Sequence, residues 1–575
     1  MLREPESRLR LITMLIVAVT LLIVAQLVRL QVLEHAAHQA AAQELVRRQY
    51  SLPDPPWGCI RDRNGDLLVG NAPRYDVGAE FRRVVDPAAA AALLAPLLNR
   101  PVAEVQQNLT LQPEDEEHGF GWHLLARQVS PETAGKLEEL GLPWLTLTPT
   151  WERCYAEGAL AAHILGFVNE DGLGYGVQAY QRRFLQGQRV VRVGDVSGDA
   201  QPLAGEVASE EGLPYPGTDL RLTLDRTIQA YVEGELDKAL LDYDAQGGVI
   251  LVLDPRTGEI LAAAARPSYE PVRYADYAAQ GETAIFRDPA ISQTYEPGSV
   301  FKIVTVAAAL DSGRADLNWS YQDRGTLEYG GVVVQNWDRN PYGQQGLAGL
   351  LTHSLNVGAA KLSTQVLGPE LFYRYVRAFG FGQPTGVELA GEAAGLVHMP
   401  SDWNWEDGFL ATNSFGQGIA VTPLQMAAAV AAIANGGVMM QPHVVAERLY
   451  PDGRSIVIPP RPAGQPVAAE TAHLLSELLE HVVDEMPEAQ VPGYRIAGKT
   501  GTAQIPGMGG YEQDAVITSF VGFGPLPDPQ LLILVQLDRP GVPVAMRWGT
   551  QTAAPLFQKV AARLFVLLGI PPAAD

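Results

Sequence analysis

From Leu11 to Val28 the chain runs through eighteen consecutive residues without a charge. A helix of that length reaches across most of a hydrocarbon core of roughly 30 Å. Such a run is expected to span a bilayer. It is longer than a typical signal-peptide core, which favours an uncleaved anchor over residues 11–30 and a short tail over 1–10. Arg3, Arg8 and Arg10 precede the run and predict a cytoplasmic N-terminus, although Arg29, Arg47 and Arg48 follow it. No second run of comparable length occurs, so everything after the anchor is expected on one side, outside the cytoplasm.

At 575 residues the chain exceeds one ordinary core, and two or three domains are expected. Its 47% apolar and 19% charged residues describe a globular protein. A formal net charge of −23 opposes binding to a phosphate backbone, so no nucleic-acid partner is expected. Cys59 and Cys154 belong to no CxxC or Cys/His cluster, which argues against a metal site and a disulfide framework. Lysine is scarce: six of the 42 basic residues, the rest being arginine. Lysine can lose its proton near neutral pH and arginine cannot, so each retained lysine merits a question.

Beyond the anchor, Leu33 to Gln49 has helical spacing and predicts an outward continuation of the helix, ended by Pro53, Pro55 and Pro56. Gly65 to Val69 and Tyr75 to Gly78 read as short strands, with Asn64-Gly65 as a hairpin turn. Pro87 to Asn99 and Pro131 to Gly141 read as helices. This mixed α/β region carries no dense polar constellation and reads as a pedestal over 31–215. The Pro/Gly-rich stretch Gly212 to Gly217 reads as a linker, and a second domain is expected over 216–575. There, Arg226 to Leu241 predicts a helix, and Gly247 to Asp254 with Glu259 to Ala264 a hairpin. Leu424 to Ala434 predicts a helix, Ser519 to Phe523 and Leu531 to Gln536 core strands, and Ala554 to Leu568 a closing helix. Antiparallel strands flanked by helices make the class α+β.

Three short motifs in that domain could carry chemistry. Ser299 opens an apolar helical run, Ile303 to Leu310, and Lys302 lies one turn on along the same face. A hydroxyl needs a base to become a nucleophile, and a lysine among apolar neighbours can serve once burial lowers its pKa. Equally, Ser299 reads as an N-cap and Lys302 as a surface cation; with seventeen serines and six lysines, chance alone supplies such a pair about 0.2 times. Ser354-Leu355-Asn356 precedes a helical stretch, where short polar residues are usually caps. In Lys499-Thr500-Gly501-Thr502, a strand would put Lys499 and Gly501 on one face and Thr500 and Thr502 on the other, a surface suited to an extended peptide and its carboxylate. The bland reading is a turn in a Gly-rich loop.

S-x-x-K, S-x-N and K-T-G, in that order and within one domain, are the motif set of penicillin-binding proteins and serine β-lactamases. The whole chain resembles a class B penicillin-binding protein: tail, anchor, pedestal, transpeptidase domain. Gly58 to Gly65 and Arg153 to Gly158 with Ala162 to Gly166 resemble pedestal motifs of that family, and Tyr295 to Ser299 and Gly416 to Ile419 its catalytic half. Trp57 stands where arginine is usual, an alanine replaces a proline in the second pedestal motif, and Gln178 stands where glutamate is customary. Asn356 followed by Val-Gly resembles division-type more than elongation-type enzymes.

The resemblance implies a D,D-transpeptidase of cell-wall synthesis acting on peptidoglycan stem peptides ending in D-Ala-D-Ala, with β-lactams as covalent inhibitors and no metal or cofactor. It implies Ser299 as nucleophile, Lys302 as base, Ser354 with Lys499 as the proton relay, and Asn356 holding the donor backbone. Thr500, Gly501 and Thr502 would receive the terminal carboxylate, and the backbone N–H groups of Ser299 and Thr502 would form an oxyanion hole. A multi-span SEDS-type glycan polymerase is the implied partner. A β-lactamase or carboxypeptidase, or a non-catalytic β-lactam sensor, is the competing reading, although no deacylating glutamate motif is evident.

Overall fold

The computed structural model describes residues 5–34, 47–51, 54–110, 122–169, 171–188, 191–195, 215–507 and 510–572. Helix α1, Pro5–Val28, passes into a π-helical turn, Arg29–Leu33. Its apolar stretch Leu9–Val32 contains an 18-residue window with a mean hydropathy of 2.8, none of it buried. At 1.5 Å per residue, its 24 residues extend about 36 Å, long enough to cross a membrane. The helix does not run on to Gln49 as its spacing predicts. Residues 35–46 lie outside the described ones, and Arg47–Ser51 is a strand paired antiparallel with Val191–Asp195. Pairing with a distant segment overrode a weak local period. Of the Gly212–Gly217 linker, residues 212–214 likewise lie outside the described ones.

The chain divides into two compact units, and the division interleaves along the sequence. The first holds residues 1–56, 71–152 and 187–216. Its core joins Val77, Ala91, Leu94, Leu98, Leu125 and Leu137. Helix Pro87–Leu98 starts where Asp86 accepts hydrogen bonds from Ala88 and Ala89 N–H, and stops at Asn99 in the left-handed region. Helix Pro131–Glu139 starts on Ser130, whose hydroxyl accepts from Thr133 N–H.

The second unit holds 57–70, 153–186 and 217–575. Its centre is a five-stranded antiparallel sheet of β1 (Gly247–Leu253), β2 (Ile260–Arg266), β3 (Ala497–Gly507), β4 (Gly510–Gly524) and β5 (Leu531–Asp538), in the order β2-β1-β5-β4-β3. Every residue of β1 is buried, as a strand covered on both faces requires. Helices Arg226–Asp242 (α2) and Ala553–Leu567 pack on the sheet and on each other, while Pro423–Ala434, buried throughout, packs against β1 and β5. Each fully buried Val, Ile or Leu side chain contributes roughly 1.5–3 kcal/mol. The segments Leu67 to Val69 and Tyr75 to Gly78, expected as separate strands, belong to one strand, Leu67–Ala79.

For the site, the decisive feature is that β3 lies at the sheet edge. Among the described residues it pairs with β4 on one side only. An edge strand offers free backbone donors and acceptors to an extended ligand.

Candidate active site

Ser299 sits in a 3-10 turn, Gly298–Phe301, that leads into helix Lys302–Asp311. Its hydroxyl makes no cap; the turn is entered from Pro297 without a side-chain cap. Gly298 has φ 55° and Gly416 φ 79°, and a Cβ on Gly416 would collide with the backbone of Gly298. That close approach, with Gly298 N–H donating to Gly416 O at 3.1 Å, explains why a glycine stands at 416. Gly418 N–H then donates to Glu296 Oε1 at 2.8 Å.

Lys302 is 0% exposed. Its Nζ lies 2.6 Å from Ser354 O, 2.8 Å from Asn356 Oδ1, 3.0 Å from Ser299 Oγ and 3.1 Å from Ser354 Oγ. Burial, and then the nearby Lys499 cation, hold its pKa well below the ordinary lysine range. An uncharged amine has two N–H donors and one lone pair. The Ser354 carbonyl and Asn356 Oδ1 can only accept, so they take both donors. Once the amine is uncharged, its lone pair is left to the hydroxyl protons of Ser299 and Ser354. Asn356 is held in the right sense because its Nδ2 donates to Gln335 O at 3.0 Å, which turns Oδ1 toward the lysine.

Neither Ser354 nor Asn356 is a helix cap. Leu355 occupies the cap position of helix Asn356–Lys361 and makes no side-chain bond. Ser354 has φ 56°, a conformation that costs a non-glycine residue free energy and turns both its carbonyl and its hydroxyl to Lys302.

Lys499-Thr500-Gly501-Thr502 is a strand, not a turn, and its faces alternate as period two predicts. Lys499 and Gly501 are buried, Thr500 and Thr502 partly exposed. A Cβ on Gly501 would overlap Ser519 Oγ and press on Pro297 O, so glycine is what lets β3 lie against the Ser299 turn. Lys499 is 1% exposed, and burial lowers its pKa to about 8. Thr502 Oγ1 accepts from Gly549 N–H at 3.1 Å.

Ser299, Ser354, Asn356, Lys499, Thr500 and Thr502 line one cleft of about 480 Å³. All eight anticipated residues therefore converge: Lys302 beneath the cleft floor, Gly501 behind its wall. No aspartate or glutamate is among its lining residues. Sequence reasoning missed the aromatic rim. Trp337, 54% exposed, and Trp548, 38% exposed, meet edge to face with centroids 5.3 Å apart, near Tyr342 and Phe415. Trp337 Nε1 donates to His353 O at 3.2 Å. The available signal was two tryptophans in polar, Gly- and Pro-bearing loops, where a large apolar side chain has no core to enter.

Comparison with known proteins adds to this geometry. The penicillin binding protein transpeptidase domain matches residues 248–562, and the penicillin-binding protein dimerisation domain matches 53–191. Stage V sporulation protein D of Bacillus subtilis is 33% identical over 527 residues, covering 90% of this chain and 79% of that protein. The peptidoglycan D,D-transpeptidase FtsI of Escherichia coli is 30% identical, covering 90% of this chain and 84% of that protein. Among solved structures, penicillin binding protein 3 of Mycobacterium tuberculosis complexed with aztreonam superposes with a TM-score of 0.68 at 29% identity, covering 91% of this chain and 98% of that one.

Proposed function

The chain belongs to the class B penicillin-binding proteins, and we propose that it is a serine D-Ala-D-Ala transpeptidase that cross-links peptidoglycan stem peptides and is acylated by β-lactams. The observation that carries this is the buried Lys302 Nζ, 3.0 Å from Ser299 Oγ, in a setting that lowers its pKa and so favours its uncharged form.

Ser299 Oγ attacks the carbonyl carbon between the two D-alanines as its proton passes to Lys302 Nζ. The carbonyl oxygen becomes an oxyanion facing the backbone N–H groups of Ser299 and Thr502, each such donor worth about 10²–10³ in rate. Ser354, bonded to Lys302 and aided by Lys499, returns a proton to the departing D-Ala amine. The C–N bond breaks, and an ester on Ser299 remains. An amine from a neighbouring strand attacks that ester, forming the cross-link and restoring the hydroxyl. Lys499, Thr500 and Thr502 receive the terminal carboxylate, with Gly501 keeping the strand close enough to do so. For Asn356 to hold the donor backbone as well, its Nδ2 must exchange Gln335 O for the substrate. The absence of an acidic residue from the cleft lining removes the usual activator of a deacylating water, which favours transfer to an amine over hydrolysis.

The same reading places 1–10 in the cytoplasm, 11–30 across the membrane, a pedestal over 31–215 and the transpeptidase over 216–575 outside. Asn356-Val357-Gly358 favours a role in division over elongation, beside a multi-span SEDS-type polymerase. The test is labelling by a fluorescent penicillin, which Ser299→Ala should abolish while the unfolding transition stays in place. Retained labelling would refute the nucleophile.

A further inference from the structure

A second pocket of about 480 Å³ lies in the same unit, and none of its lining residues lines the catalytic cleft. Three arginines meet there, Arg183, Arg448 and Arg461, in a chain of net charge −23. Their mutual repulsion costs free energy unless an anion offsets it. None of the three is ion-paired among the described residues, and the pocket's single carboxylate, Glu388, accepts from Val444 N–H. Phe184 fixes two guanidinium groups, Arg448 at 4.1 Å and Arg183 at 4.6 Å from its ring centroid.

Two donors are left over. Gln181 is 2% exposed, and its Oε1 accepts from Arg448 Nη2 at 3.3 Å, which settles the amide orientation and turns Nε2 away. Gln181 Nε2 and Arg448 Nε are both buried, and neither finds an acceptor among the described residues. A buried unsatisfied donor costs about 1–3 kcal/mol, so these two, on residues that line the pocket, add to its preference for an anion. A guanidinium presents its N–H groups as a planar fork, which matches a carboxylate; a doubly charged phosphate would meet Glu388 at greater cost.

We propose that this pocket is a second ligand site, outside the catalytic cleft, that binds a carboxylate of the wall peptide. It rests on the transpeptidase reading for the choice of peptide. The test uses the full chain in detergent micelles with Ser299 acylated by benzylpenicillin, the acylation being verified by mass so that the catalytic cleft is filled. N-acetylmuramyl-pentapeptide is titrated in, with the same peptide amidated at its carboxylates and inorganic phosphate as comparators. Saturable binding of the free-acid peptide is expected, weakened about tenfold or more by Arg448→Gln and by Gln181→Leu. Penicillin acylation should proceed at the parent rate in both variants; should Gln181→Leu fail to fold, the exposed Arg183→Gln replaces it. No saturable binding, equal binding by the variants, or equal binding of the amidated peptide or of phosphate would overturn the proposal. Failure of penicillin to acylate would instead sink the transpeptidase reading, and the titration of unmodified protein against Arg448→Gln would still judge the pocket.

Discussion

Two basic side chains are drawn into the body of the second unit, and they differ in one atom's chemistry. Arg153, half-buried, donates to Gln178 Oε1 at 2.9 Å and to Gly58 O at 2.9 Å, and lies over the ring of Trp57. Lys302, fully buried, faces two carbonyl-type oxygens and two hydroxyls. Burial depresses the pKa of both. A guanidinium starts so high that it stays charged and can only hold neighbours in place. An ammonium pushed the same way gives up its proton and gains a lone pair. Of this pair, the arginine is the fastener and the lysine is the one whose proton can leave.

Exchanging the two chemistries should break the comparison most sharply. Lys302→Arg keeps a cation and removes the base, so penicillin acylation should fall on the order of 10⁴-fold, measured as the labelling rate. An arginine variant that acylates at more than a tenth of the parent rate would refute the base.

Asn356→Ala removes one of the two acceptors that occupy the amine's donors and leaves Gln335 O without its partner. Acylation should drop by about 10²-fold, and its acid limb should move, because the lone pair is no longer aimed.

The pH dependence sharpens the picture further. On the acid side the rate falls as pH drops through the lowered pKa of Lys302, since the charged amine cannot accept a proton. On the alkaline side Lys499 loses its charge as pH rises through about 8, and the grip on the ligand carboxylate weakens. The second-order acylation rate should then fall up to about tenfold per pH unit. In Lys499→Arg the alkaline limb should vanish; a limb that persists there belongs to another group.

The smallest effect lies at the fastener. Gln178 Nε2 donates to Gly166 O at 2.7 Å and to Tyr155 Oη at 2.8 Å. Gln178→Glu supplies a carboxylate to Arg153 but sets an oxygen against a carbonyl, so unfolding should show a loss of about 1–3 kcal/mol with acylation unchanged. A stabilised variant would mean that the ion pair outweighs the lost donors.

The three motifs were legible because each occupies a local position the sequence can specify: a turn before an apolar helix, a strand of period two. What a single residue does there was not. Read alone, Ser354 and Asn356 look like caps, and only the fold reveals Lys302, more than fifty positions away, as their partner. Gly416 owes its identity to Gly298, and Trp337 its place to Trp548; such contacts leave no periodic trace. The segment after the anchor misled because a strand pair spanning some 140 residues outbid helical spacing, and sequence separation carries no local signature.

The protonation state of Lys302 can be read directly. With six lysines in the chain, an NMR titration of ¹³Cε-labelled lysine gives few resonances, and Lys302→Arg identifies one of them. That resonance should titrate at a pH well below those of the exposed Lys136 and Lys559, marking an amine already neutral when Ser299 must lose its proton. If it titrates together with the exposed lysines, Lys302 is a cation at the working pH and the account of the site is wrong.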